Sequence, residues 1–433
     1  MRVCIGIRRE DKNEWECRTP LTPAHVRTLK EAHDMDVFVQ ASQIRAYSRE
    51  DYERAGATVA ADLSGCPLVF AIKEIPEELL EREKTYVFFS HTVKGQKHTM
   101  PMLRRLLDLG CQLIDYEKIV DEKGRRLVYF GNYAGLAGMI DTLWAFGQRL
   151  AWEKVETPFG EMRHALQYDG LEAARDAVRQ VGRRIANEGL PALLTPLICG
   201  FAGYGNVSRG AQQIYDLLPV REIDPADLPG FDERDPYHVY KVVFKEQDMV
   251  EPVDPDVSFE LQDYYDQPEK YRSRFERYMP QLTILVNAIY WTPRYPRLVT
   301  KRYLNDLFGR AEKPRLRAIG DLSCDVAGAI ECNVRTMTPG NPIYVYDPFT
   351  GQTQDGHEGR GVVVLAVDNL PCELPRESST HFGATLMSFV PEIAAADYAV
   401  PFDRCNLSPT LKRAVIVWHG KLTPDYQYLE AFL

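Results

Sequence analysis

The residues Gly203-Tyr204-Gly205-Asn206-Val207-Ser208 follow an apolar run that reads as a buried strand and open a segment with helical patterning. A glycine turn in that setting suits a phosphate, with a purely structural turn as the alternative. The first glycine permits the tight turn, and the second lets backbone N–H groups approach a pyrophosphate at the positive end of the helix. Ser208 stands where a third glycine is usual, so packing there must tolerate a small hydroxyl. Asp224 lies 21 positions after Gly203, at the end of the next expected strand, where a carboxylate would accept from the adenosine ribose hydroxyls. That favours NAD. Arg221 close by would instead suit a 2′-phosphate, so NAD and NADP both stay open.

A second group of reactive side chains lies in the first third of the chain. Glu16 and Arg18 follow the first expected strand, Lys73 ends the run Leu68–Ile72, and His91 follows Tyr86–Ser90. Ligands of open α/β sheets bind outside the carboxyl ends of strands, which is where these groups fall. Taken singly, each also has a plain structural explanation, since a lone Lys or Arg is commonly a solvated surface residue.

The elements that must position these groups alternate between strand and helix, the pattern of a parallel α/β sheet. Val3–Ile7, Val37–Gln40, Leu68–Ile72, Tyr86–Ser90 and Gln112–Asp115 read as strands. Thr22 as N-cap with Pro23 at the first helical position starts a helix through about His33. Tyr133–Trp152 reads as one long apolar helix able to bridge two domains, and Leu171–Asn187 as another. A new α/β unit begins with a buried strand over Leu193–Phe201. It continues through a helix Val207–Leu218 and strands Val220–Ile223, Leu282–Ile289 and Ala318–Asp321. Between Pro225 and Pro280 runs an acidic, Tyr- and Pro-rich insertion, too long for a plain connection, which is expected to pack near a cleft or form a subunit contact.

At 433 residues the chain exceeds the size at which one core stops growing, which predicts two domains. A formal net charge of -10 without a Lys/Arg-rich stretch gives no electrostatic footprint for nucleic acid. No apolar run approaches the roughly 18 to 20 residues that cross a bilayer. The opening Met1-Arg2-Val3-Cys4-Ile5-Gly6-Ile7 turns charged at Arg8 and lacks a secretory pattern, so a cytoplasmic location is expected. The nine cysteines show no metal-ligand spacing, and no metal is expected. Small-molecule chemistry is left, with a homo-oligomer left open.

The stretch Arg8 to Pro23, with Glu-x-Arg-x-Pro-Leu-Thr-Pro at 16 to 23, resembles the N-terminal signature of alanine dehydrogenase, transhydrogenase and saccharopine dehydrogenase. Ile72-Lys73-Glu74-Ile75-Pro76, Phe89-Ser90-His91-Thr92-Val93-Lys94-Gly95-Gln96, Phe130-Gly131-Asn132-Tyr133-Ala134-Gly135 and Gly205-Asn206-Val207-Ser208-Arg209-Gly210-Ala211 narrow it. In combination they are similar to the lysine-ketoglutarate reductase family, as found in the reductase half of bifunctional aminoadipic semialdehyde synthase.

The resemblance implies a nicotinamide-dependent oxidoreductase that forms saccharopine from lysine and 2-oxoglutarate, or runs the reverse. It implies Lys73 as general base and His91 as its acid partner. Arg18 and Arg126 would bind carboxylates, with Glu16, Gln96 and Phe130 in the same pocket. Arg125 and Asp321, Leu322 and Ser323 would approach the nicotinamide end of the cofactor, with Asn287, Ile289 and Tyr290 near its ribose. It further implies two Rossmann-like α/β domains with a cleft between them. Residues 1–135 and 372–433 would form the catalytic domain, and 136–371 the dinucleotide domain carrying the insertion at about 225–280.

These roles agree with the chemistry. Saccharopine carries three carboxylates, which call for guanidinium groups able to bind them in bidentate fashion. Lys73, with a reference value of about 10.4, must be lowered by burial and neighbouring positive charge to act as a base, and Glu16 would oppose that shift. Two other functions fit the same residues. One is an opine- or alanine-type dehydrogenase using another amino acid and keto acid; the other is a nucleotide-binding regulator without turnover.

Overall fold

The computed structural model describes residues 3–310 and 314–433. The chain forms two compact units, Met1–Phe130 with Pro375–Leu433, and Gly131–Leu374. Each is built on its own eight-stranded sheet flanked by helices.

In the first unit the sheet runs Lys421–Leu422, Val415–Trp418, Gln112–Asp115, Thr85–Phe88, Leu68–Phe70, Cys4–Ile7, Asp36–Gln40, Thr58–Ala60. The six amino-terminal strands are parallel, and the two carboxy-terminal ones add antiparallel at one edge. Central strands such as Leu68–Phe70 and Thr85–Phe88 are buried along their whole length, as expected where helices cover both faces. The helix Pro23–His33 starts as its sequence predicts: Thr22 is the N-cap, its N–H donates to His25 Nδ1 at 3.1 Å, and Val26 and Leu29 face the core. The helix Pro375–Leu386 returns to this unit and sends Phe382 into its core.

The second sheet runs Thr353–Asp355, Ile343–Tyr346, Val362–Leu365, Ala318–Asp321, Ile284–Asn287, Ile198–Ala202, Val239–Phe244, Val220–Glu222. All are parallel except the first two. The acidic stretch 225–280 is therefore not only an excursion. Its Val239–Phe244 enters the sheet directly beside the strand that precedes the glycine turn, and displaces Val220–Glu222 to the edge. The rest of that stretch holds a short antiparallel pair, Val250–Pro252 with Tyr271–Ser273, around a Phe259, Tyr264 and Tyr271 cluster.

The long apolar helix spans Gly131–Trp152 and belongs wholly to the second unit, where it packs on the helix Asn206–Tyr215. Glycines set that close approach. A Cβ on Gly135 would collide with the Val207 carbonyl, and one on Gly210 with the Asn132 carbonyl. Close helix packing therefore falls to Gly135 and Gly210, while Ser208 stays buried and its hydroxyl accepts from Gln212 Nε2 at 3.0 Å. Among the described residues no helix is long and apolar enough to cross a membrane.

Candidate active site

In the first unit, reactive groups gather where the Cys4–Ile7, Leu68–Phe70 and Thr85–Phe88 strands end. Glu16 and Arg18, both almost completely buried, form a bidentate pair in which Arg18 Nε and Nη2 donate to the two Glu16 oxygens at 2.7 and 2.6 Å. A planar guanidinium and a carboxylate satisfy one another best in this arrangement. The Arg18 guanidinium lies 4.3 Å over the Phe130 ring, which stacks on Phe382 with centroids 4.3 Å apart. The result is a cation held between an acid and an aromatic platform.

Lys73 is tied by its backbone. Glu10, buried, accepts from the N–H groups of Ile72 at 2.7 Å and Lys73 at 3.0 Å. Among the described residues the Lys73 amine itself has no hydrogen-bond partner. Burial, then the charges of Arg18 and Lys12, lower its pKa below the usual lysine range, against the opposing pull of Glu16 and Glu74. Burial and the nearby Glu16 charge push Glu10 up to about 7.

His91 adopts a left-handed backbone, φ 52, uncommon for a residue with a side chain. Its flanks hold it there: Ser90 donates its N–H to Asp115 at 3.0 Å and its hydroxyl to the same carboxylate, and Ser90 and Thr92 hydroxyls meet at 2.8 Å. The ring then reaches Glu74, with Nδ1 2.6 Å from Oε1. Burial alone would raise Glu74, but the hydrogen bond and charge of His91, with Lys12, hold it down to about 2. An ionised carboxylate only accepts, so Nδ1 carries the hydrogen and Nε2 is left for chemistry.

Not every expected residue joins this group. Gln96 is exposed, and its carbonyl accepts from Thr99. Arg125 and Arg126 are exposed on one turn and already engaged, Arg125 with Asp121 at 2.7 Å and Arg126 with Glu117. Glu10, Glu74 and Phe382 were not among the expected site residues. Glu74 carried a readable signal, an acid directly after the lysine at a strand end. Phe382 comes from a helix more than 250 positions away and carried none.

In the second unit, the cofactor-type residues converge at the carboxyl ends of three adjacent strands. Gly203 has φ 96, and a Cβ on it would press on Ile289 and the Ala288 carbonyl. Gly205 caps the helix Asn206–Tyr215, and a Cβ on it would meet only open space. Asn206 accepts from Arg209 across the first turn, Val207 is half-buried, and Tyr204 is exposed. Asn287 and Asp321, paired in register on neighbouring strands, are joined by Asn287 Nδ2 donating to Asp321 at 2.8 Å. Asn333 adds a second donor at 2.7 Å. Burial nevertheless raises Asp321 to about 6. Ser323 donates to the Ile289 carbonyl at 2.5 Å, Leu322 is buried beside Gly138, and Tyr290 is 74% exposed. Among the described residues the buried Asn287 Oδ1 has no partner. Asp224 stands apart on the outer strand, exposed, with its carboxylate accepting from the Ala226 N–H at 2.9 Å. Arg221 is engaged by Glu233 at 2.5 Å and Asp235 at 3.2 Å. Among the described residues no cluster of acids, histidines and cysteines suits a metal.

Two family models match this chain: "Alanine dehydrogenase/PNT, N-terminal domain" over residues 6–137 and "Alanine dehydrogenase/PNT, C-terminal domain" over 260–425. The chain belongs to the alanine dehydrogenase/PNT family. Within that family it is 39% identical over 98% of its length to alpha-aminoadipic semialdehyde synthase of Arabidopsis thaliana, covering 41% of that protein. To the mitochondrial alpha-aminoadipic semialdehyde synthase of Rattus norvegicus it is 36% identical over 98%, covering 47% of it. The chain thus spans less than half the length of these curated relatives. Saccharopine dehydrogenase [NAD(+), L-lysine-forming] of Emericella nidulans is 25% identical over 88% of this chain and 90% of its own. A solved L-alanine dehydrogenase shares the family fold, with TM-score 0.58, 19% identity and 99% of each chain covered.

Proposed function

We propose that this chain joins the ε-amine of L-lysine to 2-oxoglutarate and reduces the product to saccharopine, or runs that reaction in reverse. The observation that carries the reading is the pairing of a half-buried, pKa-lowered Lys73 with the Glu74–His91 couple beside the Arg18–Phe130 platform. The relatives named above support the choice of substrates. NAD or NADP serves as hydride carrier in this reading.

The residues of the second unit fit a dinucleotide. The space beyond Gly205 is where a Cβ would sit, backbone N–H groups of the helix start point into it, and Asn287 Oδ1 offers an unused buried acceptor. We assign Gly203, Tyr204, Gly205, Asn206, Val207 and Ser208 to the pyrophosphate, and Asn287, Ile289, Tyr290, Asp321, Leu322 and Ser323 to the nicotinamide half. When bound, the nicotinamide gives or takes the hydride.

Every other step falls to side chains of the chain. Lys73 Nζ, lowered by burial and the charge of Arg18, accepts the proton that the substrate's ε-ammonium must lose before it can attack the keto carbon. The His91 imidazolium, its Nδ1–H held by Glu74, gives its Nε2 proton to the oxygen that leaves as water and is left as the neutral ring. Arg18 binds a substrate carboxylate, oriented by Glu16 and stacked on Phe130, while Arg126 and Gln96 approach from exposed loops to complete the grip. Arg125 is proposed to meet the cofactor from the same turn.

Consumption of reduced nucleotide in the presence of lysine and 2-oxoglutarate tests the proposal, with alanine and other amino donors and pyruvate as the alternative pairs. Turnover with lysine at least tenfold above any other donor is the expected result. Preference for another pair would establish an opine- or alanine-type enzyme instead, and nucleotide binding without turnover on any pair would leave a regulator.

A further inference from the structure

Two cysteine sulfurs meet at the amino ends of adjacent strands in the first unit. Cys4 opens the strand Cys4–Ile7, and Cys66 stands just before the strand Leu68–Phe70, which pairs with it in parallel, Ile5 beside Leu68. The Cys4 thiol donates towards Cys66 Sγ at 3.5 Å, which is van der Waals contact for two sulfurs. Both backbones are fixed. Cys4 lies in register with Asp36 on the strand at its other side. Cys66 closes a turn, its N–H donating to the Leu63 carbonyl at 2.9 Å, and the same carbonyl accepts from Lys84 Nζ at 2.7 Å. Gly6 makes room for that turn, because a Cβ there would lie 3.2 Å from Cys66 Cβ and 3.1 Å from the Leu63 side chain. Positions 4 and 6 share one face of the strand, so the turn brings Cys66 to the Cys4 side.

Both thiols are free, and they differ in access: Cys4 is half-buried and Cys66 is buried. Burial, then the contact with Cys4, push the Cys66 thiol up to about 12 against the weaker pull of Lys84. An incoming oxidant therefore meets Cys4 first. A disulfide bond is roughly 2 Å long, so closing the gap from 3.5 Å asks for about 1.5 Å of movement shared by two side chains. We propose that Cys4 and Cys66 form a reversible disulfide by exchange with a small disulfide of the glutathione class, so that the stability of the first unit follows the thiol–disulfide balance around it. The Cys4 thiolate attacks one sulfur of the small disulfide and releases its other half as a thiolate. Cys66, after giving its proton to water, attacks Cys4 Sγ and releases the second half as a thiolate. Two thiols of the chain are oxidised, and one small disulfide is reduced to two thiols. The bond closes a loop of 62 positions and so restrains the unfolded chain. It lies at the strand ends opposite to those that lead to Arg8, Glu10 and Lys73, and it stands independently of the proposed reaction.

Peptide mapping of the native chain tests the proposal. The reduced protein is incubated with oxidised glutathione, its remaining thiols are blocked with N-ethylmaleimide, and it is digested with trypsin. Cys4 falls in the tryptic peptide 3–8 and Cys66 in 55–73, neither of which holds another cysteine. The two peptides should be found joined, two hydrogens lighter than the reduced pair, at least tenfold faster than any link among the remaining cysteines, and dithiothreitol should restore both thiols. The linked protein should unfold at a urea concentration higher by roughly 0.5–1 M. Cys66→Ser should keep glutathione on Cys4 as a mixed disulfide, and Cys4→Ser should leave Cys66 unmodified. A wild type that stops at the Cys4–glutathione adduct, that links the pair only in urea, or whose linked form unfolds earlier than the reduced one overturns the inference. These three readings come from wild type, so the decision stands even where a variant fails to fold.

Discussion

Two acids next to Lys73 are driven in opposite directions by their neighbours. Glu10 has backbone donors, the weaker pull of Arg8 and a nearby acid, so burial wins and it sits at about 7. Glu74 has His91 and Lys12, and it sits at about 2. Glu10 fixes the backbone of Lys73, and in the proposed mechanism Glu74 orients His91 as the proton carrier. Lys73→Met should abolish hydride transfer, a loss of at least a thousandfold in kcat, with nucleotide affinity changed less than threefold in titration. Glu74→Gln should lower kcat by ten- to a hundredfold with a smaller change in KM, because a neutral amide no longer fixes one tautomer of His91. Glu74→Asp should recover part of the loss. Steady-state kinetics with lysine as varied substrate decide it, and a Glu74→Gln enzyme with full kcat would remove that acid from the mechanism.

At the scale of elements, glycines that look alike in sequence do different work. Gly205 faces empty space with an ordinary backbone, whereas Gly135 has the Val207 carbonyl where its Cβ would go. Gly205→Ala should therefore leave urea stability within about 0.5 kcal/mol while cutting nucleotide affinity at least tenfold. Gly135→Ala should cost about 1–3 kcal/mol or more by forcing two helices apart. Elements with strong local signals were legible from sequence. The helix at Pro23–His33 has its cap and proline, and the strands around Val69 and Val87 are dominated by apolar residues. The order of strands was not. Val239–Phe244 lies in an acidic, proline-rich stretch whose composition reads as a loop, and only pairing with Ile198–Ala202 makes it a central strand. The same limit hid Val415–Trp418 and Phe382, whose partners are set by contacts across hundreds of residues. Within the candidate site, Lys73, His91 and Arg18 stand out by residue type at expected strand ends and take their proposed roles from the resemblance, while Glu10 becomes visible only when a fold buries it.

Taken as a whole molecule, the chain buries acids in both units, and this fixes the sign of its pH dependence. Glu10 rises from 4.5 to about 7, and Asp321 from 3.8 to about 6. In the second unit Asp141 and Glu373 face each other in the core, where burial raises both and the proximity of Asp141 drives Glu373 well above the carboxylate range. Each raised acid stabilises the fold fully below its unfolded pKa, and loses that contribution as pH rises through its folded pKa. Glu74, held at about 2, acts the other way: its contribution is present above about 4.5 and lost as pH falls toward 2. Stability should therefore peak near pH 4.5 to 5 and decline toward pH 7, with Glu10 alone accounting for about 3 kcal/mol in the first unit. Repulsion at a net charge of -10 adds to the same slope, so wild type alone is not decisive. The deciding measurement is urea unfolding of wild type and Glu10→Gln at pH 5, 6, 7 and 8. The variant, whose amide oxygen still accepts one backbone N–H, should be less stable than wild type at pH 5 and should close the gap or overtake it by pH 8. Parallel curves for the two proteins across that range would mean that Glu10 is already ionised in the folded state at pH 5, and that burial does not control it.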